Sequence, residues 1–147
     1  MSDLRNYKKD TPQYKFYKGM HEKVDLTHTL SMRKKYSKYD KCKMTIKKAL
    51  SMMDDFIDPS DPDLDVPNSI HAYQTAERAR KRYPEDKELQ IACLIHDLGK
   101  VLFSYGEPSY NVVGDTYVLG CKFPDTIVYP ETMENNKDYF KYYDKCI

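Results

Sequence analysis

Leu94-Ile95-His96-Asp97-Leu98-Gly99-Lys100 is the stretch on which the reading of this chain turns. Leu89, Ala92, Cys93 and His96 form one stripe at helical spacing, so His96 and Asp97 fall in the last turn of a predicted helix with Gly99 as its C-terminal cap. His71 falls in the first turn of the helix before it. One helix opened by a histidine and the next closed by His-Asp can turn two imidazoles and a carboxylate toward a single cation. Such donors suit iron, manganese or zinc, and an adjacent His-Asp pair can ligate one ion or bridge two. Taken singly, a histidine near a helix end more often caps, hydrogen-bonds or faces solvent; the combination is what points to a metal. No histidine follows His96, which bounds any such centre.

Upstream, Asn68 or Ser69 suits the N-cap of the His71 helix, and Ile70, Tyr73, Ala76 and Ala79 give it a modest apolar side. His71, Gln74, Thr75 and Arg78 share another side, and Tyr83-Pro84-Glu85-Asp86 ends the helix. The run Asp58-Pro59-Ser60-Asp61-Pro62-Asp63-Leu64-Asp65-Val66-Pro67-Asn68 must be a loop, because its prolines break helices and its aspartates favour turns. It lacks the glycine and terminal glutamate of an EF-hand loop. Before it, Thr45 caps an amphipathic helix marked by Ile46, Ala49, Leu50, Met53 and Ile57. Residues 1–44, with scattered tyrosines and lysines, read as an arm or a marginal helix. Downstream, glycines and Pro108 punctuate a short β-prone segment near residues 111–118, comprising Asn111-Val112-Val113 and Thr116-Tyr117-Val118. The fold class expected is mainly α, a helical bundle.

The 147 residues suffice for one domain with a core, and 40% hydrophobic against 32% charged residues is a soluble profile. No apolar run approaches the roughly 18 residues of a spanning helix, and the N-terminus lacks a secretory layout. A cytoplasmic monomer with no membrane partner is the expectation. The four cysteines show no CxxC spacing and read as free thiols. Net charge is +1, yet residues 1–50 carry fourteen Lys/Arg against five Asp/Glu. Arg33 to Lys41 interleaves bases and tyrosines, but such runs usually keep a surface hydrated, so no nucleic-acid partner is expected.

Asp58 to Glu77, spanning Asn68-Ser69-Ile70-His71-Ala72-Tyr73-Gln74-Thr75-Ala76-Glu77, resembles the stretch around the first iron-ligating histidine of the myo-inositol oxygenase family, within the helical HD-domain superfamily. Leu94-Ile95-His96-Asp97-Leu98-Gly99-Lys100-Val101-Leu102, Gly106-Glu107-Pro108, Val112-Val113-Gly114-Asp115-Thr116 and Gly120-Cys121 continue the resemblance in order. Arg5-Asn6-Tyr7 has its place near the family's start. The similarity is strongest over 58–121, with Ser109-Tyr110 and Tyr117 as mild departures.

This resemblance implies an incomplete HD-domain-like helical bundle over 45–125, with 1–44 as its N-terminal arm and 126–147 as a divergent tail. It implies a non-haem di-iron oxygenase that uses molecular oxygen to cleave myo-inositol to glucuronate. His71 and His96 would ligate the first iron, and Asp97 would bridge both ions. Arg5, Asp58, Lys100, Gly114 and Asp115 would line the substrate pocket, with Lys100 also catalytic in stabilising an alkoxide-like oxygen. On its own, Lys100 would read as an exposed lysine at the carboxyl end of its helix. The family draws two further histidines and an aspartate from a later half, so the second iron lacks its histidines here. Two alternatives stay open: an HD-domain metal-dependent phosphohydrolase, and a non-catalytic truncated paralogue.

Overall fold

The computed structural model describes residues 8–60, 66–113 and 117–142. The chain divides into two compact units, Met1–Lys41 with Gly114–Ile147, and Cys42–Val113.

The first unit opens with helix α1, Pro12–Lys23. The Thr11 hydroxyl accepts the Tyr14 N–H at 3.1 Å, and Pro12 fits the first turn because its missing N–H would be unpaired there anyway. Helix α2, Leu26–Tyr36, begins on two carboxylates: Asp25 accepts the His28 N–H at 2.6 Å and Asp138 accepts that of Leu26 at 2.7 Å. Both anions lie at the positive end of the helix dipole. The stretch that looked irregular in sequence thus holds two capped helices; α2 buries no residue, so it carries no apolar stripe to read. α1 buries Tyr17, Met20 and His21 against residues from the end of the chain. Tyr129 meets Tyr14 and Tyr17 edge-on at 4.8 and 5.9 Å, and a 3-10 helix over Pro130–Asn135 packs on α1. Asn136 Nδ2 donates to the carbonyls of His21 and Val24 at 2.6 and 3.0 Å, satisfying acceptors that the end of α1 leaves open.

His21 has no exposed surface. Its Nδ1 lies 2.6 Å from Thr132 Oγ1, whose own proton goes to the Tyr129 carbonyl, so Nδ1 carries the hydrogen of the ring. Nε2 is then a buried acceptor without a partner among the described residues. Burial pushes the His21 pKa down to about 4. Cys42 and Cys93 are free thiols, but Cys121 is disulfide-bonded, which corrects the expectation of four free thiols. Separation along the chain carries no information about approach in space.

The second unit begins as the sequence suggests: Thr45 accepts the Lys48 N–H at 3.2 Å and starts α3, Ile46–Met52, which passes into a 3-10 turn over Met53–Asp55. Helix α4, Asn68–Arg82, and helix α5, Lys87–Ile95, are joined by a short turn. Asp86 caps α5 through the Leu89 N–H at 2.9 Å, and Gln90 Nε2 ties the turn by donating to the Tyr83 and Pro84 carbonyls. Leu50, Met53 and Ala72 form the buried centre, with Leu94, Leu98 and Val101 packed against it. Phe56 is buried beside Phe103, their rings 5.0 Å apart.

Two expectations are corrected here. Gly99 does not end a helix: the chain continues as a 3-10 helix over Leu98–Tyr105, and the left-handed closing glycine is Gly106, at φ 88°. Packing of Leu98 and Val101 on the core holds the chain helical past Gly99. The β-prone stretch begins inside a 3-10 turn, Ser109–Asn111, and there is no strand among the described residues. Gly114–Thr116 lie outside those residues. No described helix is long and apolar enough to cross a membrane.

The buried histidine gives a signed pH dependence. Its folded pKa lies below the ordinary value of about 6.5, so protons favour the unfolded chain and stability falls as pH drops from 6.5 toward 4. Urea denaturation at pH 5 should show about 2 kcal/mol less stability from this source than at pH 7, a difference that His21→Gln removes. Equal pH slopes for the two proteins would disprove the assignment.

Candidate metal centre

The turn at Tyr83–Asp86 folds α5 back along α4, so the start of one helix and the end of the other share an end of the unit. His71 projects from the first turn of α4; His96 and Asp97 follow α5 directly. One ligand atom each from His71, His96 and Asp97 lies within 4.8 Å of the others, and the two imidazole centroids are 5.3 Å apart. His96 Nδ1 sits 2.8 Å from the Cys93 carbonyl, which only accepts, so the ring proton is on Nδ1 and the Nε2 lone pair is free for a cation. Nε2 in turn lies 3.6 Å from Asp97 Oδ2. His71 and Asp97 are half-buried and His96 is exposed, which leaves one side open to a ligand. The donor set of two imidazoles and one carboxylate with open positions fits a divalent first-row metal, iron(II) included. His71, Gln74, Thr75 and Arg78 line one groove, as their shared helical side suggests.

Lys100 is buried beside this cluster rather than exposed at a helix end. Its Nζ lies 2.8 Å from Asp58 Oδ2, 2.8 Å from Asn68 Oδ1 and 3.1 Å from Asp97 Oδ2, so all three ammonium protons have acceptors. The Phe56 ring stands 5.7 Å from the same nitrogen. Burial alone would lower the Lys100 pKa, but Asp58 and Asp97 outweigh it and the net shift is upward. Burial likewise works to raise the pKa of Asp58 and Asp97. Hydrogen bonds from Lys100 and Ser60 outweigh it at Asp58, and those from Asn68 and Lys100 at Asp97, so both carboxyls end below their ordinary range. Asp58 is shaped for this task by the loop: its Oδ1 accepts the Ser60 N–H at 2.9 Å and the Ser60 hydroxyl at 2.6 Å, leaving Oδ2 for the lysine.

His71, His96, Asp97, Asp58 and Lys100 are therefore brought together, while Arg5, Gly114 and Asp115 lie outside the described residues. Sequence reasoning missed Asn68 and Ser60. Asn68 and Ser69 suit an N-cap, yet neither caps α4: Ser69 Oγ donates to Asp54, and Asn68 Nδ2 donates to Asp97 Oδ2 at 3.1 Å. The sequence signal at Ser60 is its place two residues after Asp58, the spacing of an Asx turn. Asn68 offers no comparable local signal, because both of its side-chain partners are distant in sequence.

The helical unit thus presents two imidazoles, a carboxylate and a buried cation, a donor set suited to a metal ion. The family model described as myo-inositol oxygenase matches residues 11–145. The chain is 42% identical over 123 residues to the inositol oxygenase of Rattus norvegicus, covering 83% of this chain and 43% of that protein. It is 43% identical over 127 residues to inositol oxygenase 1 of Arabidopsis thaliana, covering 84% and 41%. A probable inositol oxygenase of Oryza sativa subsp. japonica is 40% identical over 143 residues, covering 92% and 46%. The chain belongs to the myo-inositol oxygenase family and spans less than half the length of these curated relatives.

Removing the Lys100 ammonium leaves two part-buried carboxylates facing each other without a counter-charge. Lys100→Met should cost about 3 kcal/mol in urea denaturation, with Lys100→Met/Asp58→Asn recovering part of that loss. A loss below 0.5 kcal/mol, the usual scale of a surface substitution, would show that the cluster does not hold this unit together.

Proposed function

We propose that this chain supplies the first metal ligands and the polyol-binding ion pair of an inositol oxygenase, with iron as the metal and myo-inositol and dioxygen as substrates. The observation that carries the reading is the convergence of His71, His96 and Asp97 donors within 4.8 Å, beside a lysine buried between two carboxylates. Iron held by these residues would supply dioxygen activation and a Lewis-acid contact for a substrate oxygen.

The chain's own residues bind and orient the polyol. Lys100 can only donate and Asp58 can only accept, whereas a hydroxyl does both. A ring hydroxyl therefore inserts between them, accepting from Nζ and donating to the Asp58 carboxylate, at the pair now closed at 2.8 Å. Lys100 keeps its contact with Asp97, so the hydroxyl it holds lies next to the metal-ligand carboxylate. The ammonium offsets negative charge that builds on that oxygen as its proton is drawn toward the Asp58 carboxylate, in a setting drier than bulk water. Ring cleavage to glucuronate is the family-level reaction this arrangement suits.

Anaerobic iron(II) titration of the purified chain, followed by oxygen uptake and glucuronate measurement with myo-inositol, tests the reading. We expect iron binding that His71→Ala and Asp97→Ala each weaken about 10-fold or more, and an iron spectrum that changes on adding myo-inositol. Failure to bind iron would refute the proposal; phosphate-ester hydrolysis without oxygen uptake would replace it with the phosphohydrolase reading.

A further inference from the structure

Asn68 is the residue that joins the two halves of this site. It is 5% exposed, and its backbone N–H donates to the Phe56 carbonyl at 2.9 Å, which fixes where the side chain starts. Its amide then makes two contacts of opposite sense. Lys100 Nζ donates to Oδ1 at 2.8 Å, and Nδ2 donates to Asp97 Oδ2 at 3.1 Å. Lysine only donates and a carboxylate only accepts, so one amide orientation alone satisfies both neighbours. An aspartate here would face Asp97 with a like charge, and a leucine would leave both neighbours without their partner.

From this geometry we infer that Asn68 is a positioning residue for the metal: with Lys100 it holds the Asp97 carboxylate at Oδ2, the oxygen 3.6 Å from His96 Nε2, and so fixes how that carboxylate meets the imidazole donors. Lys100 Nζ holds the same oxygen at 3.1 Å. A carboxylate held at one oxygen by two donors cannot turn freely about its Cβ–Cγ bond, so its orientation toward His96 stays constant. The same amide fixes Lys100, so the cation that grips substrate and the carboxylate that grips metal are set by one side chain. The inference rests on the proposed metal-centre reading and adds a residue that acts through Asp97 rather than on the metal.

Cobalt(II) binding to the full chain tests it, read by affinity and by the visible ligand-field spectrum, with circular dichroism checking the fold. Asn68→Leu keeps the volume and deletes both hydrogen bonds; Asn68→Ala serves if leucine does not fold. Either should weaken cobalt binding about 10- to 100-fold and shift the ligand-field bands, since outer-sphere partners of a ligand act at that scale. Ser69→Ala disturbs the same helix start through Asp54 and should leave affinity and spectrum unchanged. Wild-type affinity and spectrum in a folded Asn68 variant would overturn the inference while leaving the metal centre standing. An equal loss in Ser69→Ala would also overturn it, by assigning the effect to the helix start. No cobalt or iron binding by the wild type would remove the metal-centre reading and this inference together.

Discussion

A lysine ammonium buried among Asp58, Asn68 and Asp97 is the interaction on which the second unit depends. An ammonium taken out of water is costly unless every proton finds an acceptor, and Lys100 finds three. Each acceptor comes from a different piece of chain: the loop after the Met53–Asp55 turn, the start of α4, and the segment just past α5. Satisfying one charge therefore fixes three backbone segments at once, and the imidazoles of His71 and His96 ride on two of them. The local core, with Met53 and Ala72 fully buried, supplies the apolar support against which this polar cluster is built.

The consequences reach α5, none of whose residues is buried. Its place is secured by the face it shares with α4, by the turn that Gln90 ties, and by the partly buried Leu94 against the core. An element held so lightly would drift if its C-terminal end were free. Asp97 anchors that end through Asn68 and Lys100, and the bond between His96 Nδ1 and the Cys93 carbonyl orients the ring as the helix finishes. Stability and the placement of the His96 and Asp97 side chains thus have the same source.

The first unit solves a different problem with similar means. Helix α1 leaves carbonyls open at its end and brings a histidine into the interior; Asn136 donates to the carbonyls and Thr132 takes the histidine Nδ1, while Asp138 accepts the Leu26 N–H at the start of α2. Aromatic edges from Tyr129 and Tyr117 close around His21 and its helix. The arrangement keeps the imidazole neutral in the interior of its own unit.

Sequence by itself determined the elements whose cause is local. Thr45 starts a helix because its hydroxyl reaches the Lys48 N–H, the prolines between Asp58 and Asn68 forbid a helix, and the separation of His71 from His-Asp follows from the lengths of two helices and a turn. Those features made the trio of His71, His96 and Asp97 and the family resemblance legible. Tertiary structure alone decided that Asn68 turns away from capping toward Asp97, that Lys100 is buried instead of solvated, and that Gly106 rather than Gly99 ends the helical run. In each of those cases the deciding contact lies far along the chain or in the packed core, and Asn68 and Lys100 take the roles that leave the fewest buried groups unpaired.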